Sequence, residues 1–143
     1  MEYIDKDGTK KNPYIIHRTS IGCYERTLAL IIEKFAGALP LWLAPVQVEI
    51  LPISDSQQAY AEKVKAMFDK MHIRSEIDSR QEKIGYKIRS AQLEKIPYMF
   101  ILGDKEVESG EISVRSRKEG DLGAMKVEAV LEKICQENEG QVL

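Results

Sequence analysis

Tyr98-Met99-Phe100-Ile101-Leu102 is an unbroken apolar run that ends at Gly103-Asp104. A strand with one wet face carries a polar residue at every second position, so a run without one reads as a strand buried on both sides. The acidic stretch that follows, Asp104 to Glu108, reads as a loop, and residues 111–117 return as a second strand. Ile112 and Val114 point inward on that strand while Ser113, Arg115 and Arg117 point outward. Glu106 beside the loop and Arg115 on the returning strand are the two side chains this hairpin offers to a ligand.

Upstream, Val46 to Ser54 alternates Val46, Val48 and Ile50 with Gln47 and Glu49, and Asp55 or Ser56 is placed to cap a helix over about 57–71. Tyr60, Val64, Met67, Phe68 and Met71 form one apolar stripe on that helix. A short strand over 73–79 and a second helix over about 84–96, stopped by Pro97, make a crossover that is right-handed if its strands are parallel. Ile84, Ile88, Ala91 and Leu93 or Ile96 face inward on this helix. Downstream, Gly120, Asp121 and Gly123 read as a loop, and Val127, Val130, Leu131, Ile134 and Cys135 mark a last helix over about 126–138. The order β α β α β β(β) α implies an α/β domain whose mixed sheet is covered by helices.

Gly37, Pro40 and Pro45 oppose continued helix and set a domain boundary, giving residues 1–40 and 41–143. In the first part, Asp7-Gly8 between Tyr3-Ile4 and Tyr14-Ile15-Ile16 predicts a hairpin. A strand from Ile15, a break at Gly22 and a helix with Leu28, Ile31, Ile32 and Phe35 on one face follow.

With 143 residues and 43% of them apolar, the chain can build one domain with a real core and has residues left for an extra segment. A net charge of −2 gives no overall attraction to polyanions, so any nucleic-acid site must be a local patch. Residues 79–95 hold such a patch: Arg80, Lys83, Lys87, Arg89 and Lys95 against Glu82 and Glu94. Cys23 and Cys135 lack metal-ligand spacing and read as free thiols of a cytoplasmic protein. The longest apolar stretch, near 36–48, is broken by Gly and Pro, so no membrane span is expected.

The sequence Gly22-Cys23-Tyr24-Glu25-Arg26, set between a strand and an apolar helix, resembles the third signature motif of class II aminoacyl-tRNA synthetases. His17-Arg18, Phe35-Ala36-Gly37 and Trp42-Leu43-Ala44-Pro45 resemble the threonyl-tRNA synthetases in particular. Beyond Trp42, Ile53-Ser54-Asp55-Ser56-Gln57, Glu82 through Arg89, Ile96-Pro97-Tyr98-Met99, Gly103 through Gly110 and Asp121-Leu122-Gly123 resemble that family's anticodon-binding domain. The likeness runs from about residue 14 to 138. It implies a mixed five-stranded sheet with three flanking helices over 41–143, preceded over 1–40 by the end of a class II catalytic domain. It also implies roles for single residues: Arg26 grips ATP, His17 is a zinc ligand, and Gln81, Lys83, Glu106 and Arg115 contact the anticodon. The chemistry suits them, since Glu accepts from guanine's donors, Arg donates to base acceptors and Lys holds a phosphate or base oxygen. Gln81 stands where the family carries asparagine, and Cys23 where it carries a small polar residue. Lys87, Arg89, Arg117 and Lys118 are expected near the RNA backbone.

The family's enzymes join threonine to its transfer RNA with ATP, magnesium and zinc, and act as homodimers. One zinc ligand and one ATP contact do not make a site, so this chain is expected to bind the anticodon arm of threonine transfer RNA without catalysis and without a cofactor of its own. Neither DNA nor a membrane is an expected partner. The alternative reading is a free-standing accessory or regulatory module of the same fold. A small enzyme built on Cys23 and His17 is disfavoured, because no third group is there to orient them.

Overall fold

The computed structural model describes residues 1–19 and 22–140, which fall into two compact units, 1–30 and 31–143. In the first unit, β1 (Tyr3–Ile4) and β2 (Lys10–Lys11) form an antiparallel hairpin with Tyr3 opposite Lys11. Gly8 takes a φ of 78°, the left-handed conformation that the Asp7-Gly8 turn demands. The partner strand is Lys10–Lys11 and not the expected Tyr14 to Ile16. Asp5 and Asp7 both bond the Lys11 ammonium, which closes the turn early. Residues 12–19 form no strand, and Ile15 and Ile16 are exposed. Ser20 and Ile21, at the end of the strand expected there, lie outside the described residues. The helix α1 (Tyr24–Phe35) carries the chain onward, with Leu28 and Ile32 exposed and Ile31 and Phe35 partly covered.

The second unit is built on a five-stranded mixed sheet of β3 (Val48–Pro52), β4 (Ser75–Ile77), β5 (Tyr98–Leu102), β6 (Glu111–Ser116) and β7 (Gly120–Lys126). Their order is β4-β3-β5-β6-β7; β3 is parallel to both neighbours and the pairs beyond β5 are antiparallel. Helices α2 (Gln58–Lys70), α3 (Ile84–Leu93) and α5 (Val127–Glu139) flank it, and a short α4 (Asp104–Ser109) links β5 to β6.

On one face, Val48, Ile50, Phe100, Leu102, Ile112 and Val114 pack with Ala61, Val64 and Phe68 of α2 and with Val127, Val130 and Ile134 of α5. The Phe68 and Phe100 rings meet at 5.1 Å between centroids, tilted by 58°. On the other face, Leu51 and Met99 meet Ala91 of α3 and Ile96, and the small Ala91 lets the helix approach closely. The unbroken apolar run of β5 is thus buried on both sides, as its pattern requires.

β3 is central too, and its apparent alternation misleads, because Gln47 and Glu49 are buried along with Val48 and Ile50. Gln47 is fully used: Nε2 donates to the Leu41 carbonyl at 2.9 Å and to Asn138 Oδ1 at 2.7 Å, and Oε1 accepts from the Arg74 amide at 2.9 Å. It therefore joins the linker, the entry to β4 and the end of α5.

Three further expectations need correction. The acidic stretch after β5 is a helix, α4, because Glu106 reaches back to the Gly103 amide and Gly110 ends the turn at φ 70°. Gly120 to Gly123 is not a loop but the start of β7. Both glycines hold positive φ, and the register shifts between Val114 and Arg115, so turn residues here serve a bulged edge strand. The turn after β3 is capped at Ser54, whose amide donates to Gln57 Oε1 at 2.7 Å, rather than at Asp55 or Ser56. Leu93, an alternative inward residue of α3, is 72% exposed, and Ile96 takes that place.

Candidate nucleic-acid interface

A single 3-10 turn, Asp55–Gln57, organises the carboxyl end of the sheet. The chain leaves β3 for β4 on one side, then crosses to β5 on the other, so the topology reverses at this turn. In open α/β sheets that is where ligands bind. Gln57 is buried and its Nε2 donates to Asp104 Oδ1 at 2.5 Å, which pins the start of α4. Asp55 Oδ2 accepts from Gln81 Nε2 at 3.3 Å. One turn therefore holds both the Gln81 loop and the helix that carries Glu106. Beside this turn, on the side of the Gln81 loop, lies a cleft of about 230 Å³ lined by Ser54, Asp55, Gln58, Arg80 and Gln81.

Glu106 is half-buried, and its Oε2 accepts from the Gly103 amide at 2.9 Å. A Cβ at Gly103 would sit 2.8 Å from that oxygen and 3.1 Å from Ile53 Cδ1, so a larger residue would make both side-chain ends shift. Glu106 Oε1 has no hydrogen-bond partner among the described residues and remains an open acceptor. Lys83 occupies the N-cap position of α3, exposed and without a side-chain partner among those residues. Gln81, Lys83 and Glu106 thus share the carboxyl end of the sheet.

Arg115 stands elsewhere. It lies on β6 across from Met99 at the bulge, three residues back from the end of β5, or about 10 Å along the strand. There it lines a second cleft, of about 380 Å³, with Gln92, Ile96, Met99 and Arg117. Ser113, paired with Ile101, occupies the same face between the two ends. The fold gives a track along the sheet with Glu106 near one end and Arg115 near the other, not a contact between them.

The basic patch thins once its contacts are traced. Arg80 donates Nε and Nη2 to Asp78 at 2.9 and 2.7 Å and packs on the Tyr86 ring at 5.8 Å. That pairing holds the Asp78 carboxyl below its usual range and the guanidinium above its own. Lys87, expected to reach the RNA backbone, is 3% exposed. Its Nζ donates to the carbonyls of Pro52 and Asp78, both at 3.0 Å, and so ties α3 to the ends of β3 and β4. Arg117 is likewise committed, with Nη2 donating to the Leu39 carbonyl at 2.6 Å and Nη1 to that of Lys95. Lys95 bonds the Ala36 carbonyl, and Lys118 pairs with Glu137 at 3.4 Å. Of the basic residues singled out in the sequence of this unit, Lys83, Arg89 and Arg115 remain without a side-chain partner among the described residues.

In the first unit, His17 is exposed in irregular chain and Arg26 is exposed on α1. Cys23 Sγ donates to Glu25 Oε2 at 3.0 Å, which lowers the carboxyl's pKa. Among the described residues no group of three or more His, Cys, Asp or Glu side chains could hold a metal. No helix among them is long and apolar enough to cross a membrane. Sequence reasoning missed Asp55 and Gln57 as positioning residues; the run Ser54-Asp55-Ser56-Gln57 at the end of a buried strand was the available sign.

The mixed sheet, its flanking helices and a polar switch point with free cations beside it define an anticodon-binding type of domain. Residues 47–137 match the family described as Anticodon binding domain, and the chain belongs to it. It is 58% identical over 137 residues to threonine–tRNA ligases of Clostridium botulinum (strain Eklund 17B / Type B) and Clostridium perfringens (strain SM101 / Type A). Each match takes in 96% of this chain and 21% of the relative, so the chain spans about a fifth of the length of these relatives. Among solved structures, the RNA binding domain of threonyl-tRNA synthetase from Cryptosporidium parvum Iowa II aligns with a TM-score of 0.74 at 28% identity, covering 79% of this chain and 28% of that one. Prolyl-tRNA synthetase from Cryptosporidium parvum aligns with a TM-score of 0.65 at 25% identity, covering 71% and 22%.

Proposed function

We propose that this chain reads the anticodon loop of threonine transfer RNA within a threonine–tRNA ligase. The observation that carries the reading is the 3-10 turn at 55–57, which fixes Gln81 and the Glu106 helix together at the switch point with Lys83 beside them. Glu106 Oε1 offers the acceptor that a guanine's N–H donors need, and Gln81 keeps its amide oxygen and one N–H for a neighbouring base. A loop of unstacked nucleotides laid along the track past Ser113 would bring a further base or sugar-phosphate to Arg115. Lys83 and Arg89 supply attraction to the backbone without reading sequence.

Residues 1–40, in this proposal, are the end of a class II catalytic domain. Arg26 would contact ATP and His17 zinc only when the rest of that domain is present, with magnesium and a dimer partner in a cytoplasmic enzyme. The chain alone binds RNA and does not ligate. The test is a backbone amide NMR titration with a stem-loop RNA bearing the threonine anticodon. Saturable shifts are expected at 54–57, 81–83, 103–106 and 113–115. Shifts confined to α2 and α5, on the opposite face, would overturn the assignment.

A further inference from the structure

Arg117 is a half-buried cation held only by neutral groups. It follows Arg115 by two residues, on the same side of the strand by alternation, and its amide donates to the Pro97 carbonyl at 2.9 Å. Its Nη2 donates to the carbonyls of Leu39 at 2.6 Å and Ala38 at 3.3 Å, and its Nη1 to that of Lys95. Glu137, the acid whose charge reaches it, is already bonded by the Tyr98 hydroxyl at 2.6 Å and paired with Lys118 at 3.4 Å. Burial accordingly holds the guanidinium below its usual range. A charge taken from water and given only dipoles gains from a nearby anion. Nε of Arg117 has no partner among the described residues and is open to one.

Two of the carbonyls it holds belong to the linker between α1 and β3. Ala36 and Gly37 of that linker take φ of 49° and 77°, and the Ala36 carbonyl accepts from the Lys95 ammonium. Arg117 and Lys95 thus fasten residues 36–39 to the ends of α3 and β6. Arg117 also lines the cleft of about 380 Å³ that holds Arg115, where Ile96 and Met99 supply apolar wall. Ile96 lines a further cleft of about 320 Å³ together with Gly37 and Leu39 of the linker. The far end of the RNA track and the linker therefore share Arg117 and Ile96. Asp121, the acid in register with Arg115 on β7, accepts through Oδ1 from the Gly123 amide at 2.9 Å.

We propose that a phosphate of the bound RNA, seated in this cleft by Arg115, accepts from Nε of Arg117, and that its arrival tightens the hold of Arg117 on residues 36–39. The inference rests on the RNA reading above and adds a consequence to it: the linker is firmer in the RNA-bound chain than in the free one. The phosphate supplies the countercharge that the three carbonyls lack, so the guanidinium is better stabilised in place when RNA is bound. Such a coupling is reciprocal. A linker held firmly raises affinity for RNA by the factor with which RNA firms the linker. Arg117 is in this respect a positioning residue, and Arg115 is the group that brings the phosphate to it.

Amide hydrogen exchange at Gly37 and Ala38 reads the hold on the linker, since these amides donate to the Ile32 and Phe35 carbonyls at 3.0 and 2.8 Å. Exchange is followed by NMR in the full chain, free and saturated with the stem-loop RNA bearing the threonine anticodon. It should slow about fivefold or more on saturation, while the amide of His72, bonded to the Asp69 carbonyl in the turn after α2, keeps its rate. Arg117→Met keeps the length of the stem; both linker amides should exchange faster in the free variant and no longer respond to RNA. Arg115→Ala leaves the ties to the linker in place, so the free rates should match the parent and the response to saturating RNA should be lost. If RNA gives no saturable shifts at 54–57, 81–83 and 103–106, the RNA reading falls and this inference with it. If those shifts appear but Gly37 and Ala38 exchange at the same rate with and without RNA, the coupling alone is wrong. A slowing that persists in both variants would equally overturn it.

Discussion

Glu49→Gln replaces the carboxyl buried on β3 opposite Glu76 by a group of the same shape that does not ionise. The folded chain holds the Glu49 carboxyl at about 7, against 4.5 without the fold. Between these values the folded state keeps a proton that the unfolded state has released, so stability attributable to this group falls as pH rises from about 4.5 through 7 and is flat above. At about 1.36 kcal/mol per pH unit the loss comes to roughly 3 kcal/mol. Glutamine does not ionise and escapes it. Asp78, lowered by its bond to Arg80, acts in the opposite sense but only in more acid solution, where its carboxyl takes up a proton. The variant should therefore gain on the parent across this window and reach its full advantage near pH 8. With a urea dependence of about 2 kcal/mol per molar, the midpoint difference should widen by about 1.5 M. The assay is urea unfolding of both chains at a series of pH values. A midpoint difference that stays constant from pH 4.5 to 8, or that moves against the variant, would refute the reasoning.

Lys87→Met keeps the length of the stem but leaves the Pro52 and Asp78 carbonyls without their donor, and should destabilise the chain by about 1–3 kcal/mol while leaving the salt dependence of RNA binding unchanged. Thermal unfolding and a binding isotherm at two salt concentrations check both halves. Arg89→Ala, by contrast, should leave stability within about 0.5 kcal/mol and weaken all RNAs alike, reducing the slope of log affinity against log salt by about 0.7. The purified chain should show no threonine-dependent ATP–pyrophosphate exchange and no stoichiometric zinc, measured by radiolabelled exchange and elemental analysis; either activity or one zinc per chain would contradict the reading of Arg26 and His17.

What the sequence disclosed follows from how directly each feature is coded. β5 and the apolar stripe of α2 from Tyr60 to Phe68 were legible because side-chain periodicity reports burial, and Phe68 and Phe100 do meet in the core; Met71, expected on the same stripe, lies past the helix end and is half exposed. β7 was hidden because Gly120 and Gly123, ordinary turn residues, serve a bulged edge. α4 was hidden because six residues are too few to show a period, and its formation rests on Glu106 and Gly110 at its ends. At the site, the residue types were legible but the commitments of their side chains were not. Nothing in the spacing of Lys87 or Arg117 tells that backbone carbonyls far along the chain would claim them. The same holds for Gln57, whose value lies in a contact 47 positions away.

In the proposed mode of binding, Glu106 reads a base while Lys83 and Arg89 hold the backbone. The most direct measurement is the ratio of affinities for threonine transfer RNA and the same RNA with a swapped anticodon, in the parent chain and in Glu106→Ala, at two salt concentrations. An unpaired base donor costs about 1–3 kcal/mol, so the ratio should fall by about tenfold in the variant and be nearly the same at both salts. If Glu106→Ala loses affinity for both RNAs by the same factor, Glu106 does not read the anticodon and the assignment fails.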